Sequence, residues 1–387
     1  MAALDPTATR LRTDFLAVFP FWLTLTFIPV LFVAGWATSV TGKGWWLALV
    51  PAYGWYLMSM LDFIGGLNTQ NPDTETPASD MRWYTAVTLV WPFLQIPVIF
   101  GSLYFVTNWD VMTPTQEWVF MACVGIPTGT VGINFAHELM HQRSKLERTL
   151  GDVLMTSVLY GHFRSEHLLV HHRHVGTPRD PVTARYNEGF HRFFPRVLKQ
   201  CLVSSWYAES AMLARKGLTV WHLSNPFWRY AAWQAGWLVL AAMIGGWTGV
   251  GMFVLQAFVA IWQLELVNYV EHYGLTRKHL GNGKYEHVLP RHSWNASHRV
   301  SNWLLINPQR HSDHHYKPAR KFPLLQTYSE DDAPQLPYGY PVMTIMAMIP
   351  PVFKRFMNPK VRAWRRRYYP EVTDWQPYNK AQNPVPD

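Results

Sequence analysis

Six apolar runs punctuate this sequence, at residues 15–37, 45–65, 83–105, 118–135, 230–247 and 252–269. Each is about 18 residues or longer, the length a helix needs to cross a hydrocarbon core of about 30 Å. Backbone N–H and C=O groups find no water at that depth, so helices are nearly the only solution such runs permit. Proline inside the first four, Pro29 and Pro97 among them, is tolerated because neighbouring helices satisfy the freed carbonyls. Trp45, Trp46, Trp83 and Trp118 mark span ends, where interfacial aromatics belong. Charged residues make up 15% of the chain, against roughly 25% in an ordinary soluble domain, too few to clothe a water-facing surface. The same hydrophobicity excludes disorder.

Basic residues are distributed one-sidedly. With Arg10 and Arg12 inside, the outer loops fall at residues 38–44, 107–117 and 248–251, and these contain only Lys43 of the 34 Lys and Arg. The positive-inside rule therefore puts both termini in the cytoplasm. No cleavable signal peptide is expected, because the first run exceeds a signal h-region and no small-residue cleavage site stands out. A net charge of +9 gathered on one face suits anionic lipid headgroups and an acidic cytosolic partner; nucleic acid is not an expected partner. Residues 342–357 are apolar but short and broken by Pro350 and Pro351, which predicts an interfacial or re-entrant helix. The basic run at 361–367 reads as a membrane-surface anchor.

All 17 histidines lie outside the six runs, on the predicted inner side, and most fall into tight clusters. His137-Glu-Leu-Met-His141 places two imidazoles on one helix face. His167 and His171 repeat that spacing, and the adjacent His172 can face a second metal. His272 follows the sixth run, and His311, His314 and His315 share one turn. Isolated histidines such as His191, His222 and His279 need no metal. Nine clustered imidazoles exceed the four ligands of one zinc ion, whereas two metals would each receive four or five nitrogens. Imidazole suits iron, copper, zinc and nickel alike, so ligand type does not choose the metal. The two cysteines, Cys123 and Cys201, exclude a disulfide framework, a thiolate-ligated zinc module and a thiolate iron centre.

These residues, with Gly161-His-Phe, Glu166-His167, Thr177-Pro, Asp180-Pro181, Asn268-Tyr-Val-Glu-His-Tyr-Gly-Leu275, Tyr285-Glu-His287, Ser293-Trp-Asn295 and Gln309-Arg-His-Ser-Asp-His-His315, resemble the motif set of the membrane alkane 1-monooxygenases. That family belongs to the integral-membrane, histidine-rich non-haem di-iron hydroxylases and desaturases, and the resemblance covers nearly the whole chain. It implies two non-haem iron ions held by His137, His141, His167, His171, His172, His272, His311, His314 and His315. It further implies O2-dependent terminal hydroxylation of an alkyl chain, electrons from rubredoxin and its NADH-dependent reductase, and a bacterial inner membrane. The chain departs from the family at His174, where the family commonly has an acidic residue, at Asn307-Pro308, where it has a His-Leu pair, and at Glu265, where it more often has uncharged residues.

The expected fold is all-α: a polytopic integral membrane protein with six transmembrane helices and a cytoplasmic His-rich helical cap. Residues 1–136 hold spans one to four, 137–228 a His-rich cytoplasmic segment, 229–272 spans five and six, and 273–387 a C-terminal segment completing the metal site. Glu138, Glu166, Glu271 and Asp313 neighbour the expected ligands and are placed to orient imidazole tautomers. Substrate should enter from the bilayer past Trp55, Ile133 and Leu264, with the bulk of Trp55 limiting chain length. Glu265, two turns before His272, is expected on the metal-facing side, where an intramembrane carboxyl is a functional suspect and would favour an alkyl-aromatic or polar-headed substrate. Without a four-cysteine site, flavin fingerprint or Gly-rich dinucleotide loop, electrons must come from another protein, and Arg143, Lys145, Arg148, Arg164, Arg310 and Lys317 form the expected docking face. Three alternatives stay open: a fatty-acyl desaturase, a membrane zinc protease built on His137, Glu138 and His141, and a metal transporter or sensor.

Overall fold

The computed structural model describes residues 9–386; the extreme ends, expected in the cytoplasm, lie outside the described residues. Helices dominate. In chain order they are α1 (Phe15–Thr41), α2 (Gly44–Gly65), α3 (Ala78–Asn108), α4 (Pro114–Met140), α5 (Lys145–Ser157), α6 (residues 163–174), α7 (Phe190–Ala214) and α8 (Pro226–His272). After the strands β1 (His279–Gly281) and β2 (Lys284–Tyr285) come α9 (Arg299–Leu304), α10 (His311–Tyr316), α11 (Tyr340–Ala347) and α12 (Pro350–Tyr368). Five of these, α1 to α4 and α8, are long and apolar enough to cross a membrane.

The fifth and sixth runs are both contained in α8, which breaks at Gly245 and Gly246. Gly246 sits at φ 59, ψ −150, a region open essentially only to glycine. The chain folds back there: the Phe100 ring meets both Trp237, before the break, and Phe253, after it. The turn expected at residues 248–251 is therefore helical and the reversal lies earlier, because Gly246 supplies the one conformation that permits it. The chain is mostly helical, as expected, with one short β1–β2 hairpin beside the helices. Its Asn282-Gly283 corner has φ 50 and 69, the paired positive angles of a two-residue hairpin turn that Asn-Gly favours. The segment expected as one interfacial helix divides into α11 and α12 at Pro350. Within the basic run that follows, Arg365 is buried between the Tyr186 and Trp375 rings.

Polar side chains inside the bundle are used to join helices. Gln95 accepts from Trp91 and donates to Ser157; Gln263 accepts from Thr130 and donates to the Gly125 carbonyl. The Gln263 bonds form because α4 and α8 approach closely at small residues, as in membrane helix pairs generally. A Cβ on Gly125 would stand 2.6 Å from the Gln256 carbonyl oxygen, and one on Gly129 would stand 2.9 Å from the Ala260 Cα. Gly129→Leu is accordingly expected to cost about 3 kcal/mol, read as a lowered thermal unfolding midpoint in detergent. Gly101→Leu, at a position open within 4 Å, is the matched control, and equal midpoints would refute the close-packing argument.

Candidate metal centre

Four elements deliver the clustered histidines to one place. The end of α4 carries His137, with His141 as the residue just after it, α6 carries His167, His171 and His172, the end of α8 carries His272, and α10 carries His311, His314 and His315. Their ring nitrogens fall into two groups, each within 4.8 Å: His137, His141, His167, His172 and His314 in one, and His171, His272, His311 and His315 in the other. In the first, Nε2 to Nε2 separations are 3.0 Å for His141–His167, 2.9 Å for His167–His172 and 3.1 Å for His172–His314. In the second they are 3.2 Å for His171–His315, 3.0 Å for His311–His315 and 3.1 Å for His272–His311.

The assignment of α6 rings differs from the i, i+4 expectation. Residues His167–His171 form a π-helical turn, whose wider winding places residues five apart on one face. His167 therefore joins His172, and His171 turns to the other group.

The donor set fits metal ions. His171 Nδ1 donates to both oxygens of Asp180 at 3.1 Å, and His311 Nδ1 lies 3.3 Å from Glu271 Oε1. A neutral imidazole that keeps its proton on Nδ1 and donates it in a hydrogen bond carries a lone pair on Nε2, so these rings point lone pairs at one another about 3 Å apart. Such convergence is repulsive without a cation between them. Separations of 2.9–3.2 Å are those of two nitrogens about 2.1 Å from a shared ion. Burial, then neighbouring imidazoles, hold His141, His167, His172, His314 and His315 well below the ordinary histidine range. The neutral form this favours is the one metals bind.

Sequence reasoning misses Asp180, although it notes the Thr177-Pro…Asp180-Pro181 stretch. The Asp180 carboxylate also accepts from the Val182 N–H at 3.0 Å and the Thr183 hydroxyl at 2.6 Å. The acid, followed two and three residues on by those donors, is a turn signature that pre-orients a carboxylate. Tyr340 is missed too: its hydroxyl donates to Glu271 Oε1 at 2.6 Å, and no local signal marks it.

Three of the four expected imidazole-orienting acids do something else. Glu138 Oε1 accepts from Gln142 Nε2 at 2.8 Å and from the Phe322 N–H at 3.3 Å, facing away from the rings, which removes the general base a zinc protease would need. Asp313 is bound by Arg320, Tyr328 and the Gln326 N–H. Both Glu166 oxygens are buried without a hydrogen-bond partner; burial, then Asp180 and Glu265, push its carboxyl well above the usual range.

A separate apolar cavity of about 110 Å³ adjoins the histidines; Trp55, Ile133 and Leu264 line it together with His137, His167 and His311. Glu265 does not. It turns to the opposite side of α8, accepting from the Tyr160 hydroxyl at 2.9 Å and Asn268 Nδ2 at 3.1 Å. The expectation that it lines the substrate path is overturned, because its partners Tyr160 and Asn268 satisfy the carboxyl within the protein.

The expected docking face also loses members. Arg310 is only 4% exposed and donates to the carbonyls of Leu325, Asn68 and Gln70. Arg164 is clamped on Asp152, and Arg148 on the carbonyls of Gln142 and Arg143. Arg143, Lys145 and Lys317 are exposed.

Helices of bilayer length that bring nine histidines into two adjoining nitrogen cradles define a histidine-rich membrane-type protein with two groups of ring nitrogens that could each hold a metal ion. Comparison with known proteins narrows the class. A family model described as fatty acid desaturase matches residues 114–346. The chain is 36% identical over 340 residues to alkane 1-monooxygenase 2 of Pseudomonas aeruginosa, covering 86% of this chain and 88% of that one. It is 38% identical over 320 residues to alkane 1-monooxygenase 1 of the same organism, covering 79% and 80%. It is also 28% identical over 290 residues to the xylene/toluene monooxygenase hydroxylase component of Pseudomonas putida, covering 71% and 74%. The chain belongs to the alkane 1-monooxygenase family.

Proposed function

We propose that this protein is an alkane 1-monooxygenase, an oxidoreductase that converts a terminal methyl group to a primary alcohol. One O2, two electrons and two protons enter, and one oxygen atom leaves as water. The observation that carries the reading is the apolar cavity whose lining is shared by Trp55, Ile133 and Leu264 on one side and by His137, His167 and His311, from both clusters, on the other. A greasy chain end seated there has no hydrogen bonds to make and displaces water beside the metal pocket.

Two iron ions held by the nine histidines would supply the reductive activation of O2 that attack on an unactivated C–H bond demands. The side chains do the rest. Asp180 accepts the hydrogen bond of His171 Nδ1–H, and Glu271 Oε1 stands 3.3 Å from His311 Nδ1, so that Nε2 of each ring is aimed inward. The Phe163 ring lies nearly flat on His167 at 5.2 Å, shielding that ring from water. Trp55 donates from its indole to Thr344 Oγ1 at 3.2 Å, which fixes the bulky ring across the cavity.

On this reading the two arms of α8 are the fifth and sixth transmembrane spans, the termini are cytoplasmic and the protein resides in a bacterial inner membrane. Substrate arrives through the lipid, and electrons arrive from NADH by way of a reductase and rubredoxin.

Metal quantification of purified protein, coupled to an assay with rubredoxin, reductase, NADH and n-alkanes, tests the function. About two irons per chain and 1-alkanol by mass spectrometry are expected; a lone zinc, or alkene in place of alkanol, would refute it. In the same assay Trp55→Ala should admit longer alkanes. Each added methylene buried is worth about 0.8 kcal/mol, so an alkane two carbons beyond the wild-type optimum should gain roughly tenfold in kcat/KM. An unchanged chain-length profile would show that Trp55 does not set the depth.

A further inference from the structure

A second concavity, about 610 Å³, lies apart from the apolar cavity. It opens between α6 and α7. Leu168, Leu169 and Val170 contribute to it, and these are the residues between His167 and His171. On the α7 side stand Val203 and Tyr207, 44% and 68% exposed; Arg179, Arg185 and Arg215 supply charge around the rim. Among the described residues Arg179 and Arg215 form no ion pair with a carboxylate: Arg179 donates to the Pro386 carbonyl and Arg215 to the Ala211 carbonyl. Burial, then the nearby Arg196, hold the Arg185 guanidinium below its ordinary range, with Glu188 opposing them. Exposed aromatic and aliphatic surface beside arginine is the composition of a protein interface.

We propose that this groove is the docking surface for the electron donor, a small acidic iron protein of the rubredoxin type. The inference rests on the monooxygenase reading, which requires an external donor. Two reduced donors are each oxidised by one electron per alkanol formed, so the partner must bind, deliver and leave twice per turnover. Charge complementarity without deep burial suits that exchange, because it speeds encounter more than it tightens the complex. Position favours this groove over the Arg143 and Lys145 face. Its floor segment is covalently continuous with His167 and His172 of one cluster and His171 of the other, so an electron entering at Leu168 to Val170 has a short through-bond route to either ion.

The test uses the full chain in nanodiscs of neutral lipid. Rubredoxin binding is measured directly, and alkanol formation is followed over a range of rubredoxin and salt concentrations. The Arg179→Glu, Arg215→Glu double variant should raise both Kd and KM for rubredoxin at least about tenfold and flatten their salt dependence. Alkanol yield in a dithionite-reduced single turnover should be retained, and an Arg143→Glu, Lys145→Glu double variant should leave Kd near the wild-type value. The proposal is overturned if the groove variant binds rubredoxin as wild type does, if the Arg143 and Lys145 variant carries the loss instead, or if the dithionite-driven yield falls in step with binding. It is also overturned if the groove variant loses only its binding to phosphatidylglycerol vesicles, which would make the groove a lipid headgroup site. Wild-type protein that binds rubredoxin but makes no alkanol would refute the monooxygenase reading, and the Kd comparison would still judge the groove.

Discussion

His171→Ala should reduce bound iron from about two ions per chain to about one and bring alkanol formation to background. His171 is 1% exposed and sits in the four-nitrogen cluster, with Nε2 3.2 Å from His315 Nε2. Removing it leaves three nitrogens for one ion and strands the buried carboxylate of Asp180 beside an uncompensated space. The five-nitrogen cluster keeps every member, so it should retain its ion. On the proposed di-iron reading the two ions act together, so the remaining one would be no substitute. Iron analysis with Mössbauer spectroscopy on enriched protein reads the stoichiometry independently of turnover. The control is His174→Ala: His174 is buried in the same element but belongs to neither cluster. A His171→Ala protein that still binds two irons would refute the grouping, and equal iron loss in both variants would reveal a folding defect in its place.

Asp180→Ala should weaken metal binding by about 10- to 100-fold, the usual cost of removing a carboxylate that orients a metal-bound histidine. The geometry singles out Asp180 because both of its oxygens reach His171 Nδ1, while Val182 and Thr183 hold the carboxylate still. Asp180→Asn keeps an acceptor for Nδ1–H and loses the charge, so it should fall between wild type and alanine. Competition against a graded series of chelators measures the affinity, and KM for the alkane should stay constant because Asp180 is not part of the apolar cavity lining. Asp313→Ala offers the contrast. Its carboxylate serves Arg320, Tyr328 and a backbone N–H, so its loss should lower the unfolding midpoint without a metal-specific effect. If Asp180→Ala keeps wild-type affinity, the orienting role is wrong.

Much of the site is readable in the chain because its signals are local. Ligand type and spacing along a helix are properties of a few neighbouring residues, and so are apolar runs long enough to span lipid. His137 and His141, four apart at the end of a span, need no knowledge of the rest of the molecule to be suspected. Asp180 and Tyr340 are different. An acid nine residues from the histidine it orients, or a tyrosine 69 residues from the glutamate it binds, carries no periodicity that distinguishes it. Glu265 misleads for a related reason: helical phase states which residues share a face with His272, but not what the facing helices offer. Tyr160 and Asn268 take up the carboxyl, and the cavity forms elsewhere.

By itself the sequence determined the helical class, the count of apolar runs, the identity of the clustered imidazoles and their common end of the bundle. Hydrophobic length and ligand chemistry are encoded residue by residue, so they survive without coordinates. Tertiary structure alone decided that His167 pairs with His172, that His172 meets His314 from 142 residues away, and which arginines face water. Those outcomes depend on a π-turn, a glycine reversal and the packing of distant segments. In each, the free energy comes from contacts between parts of the chain that no local pattern relates.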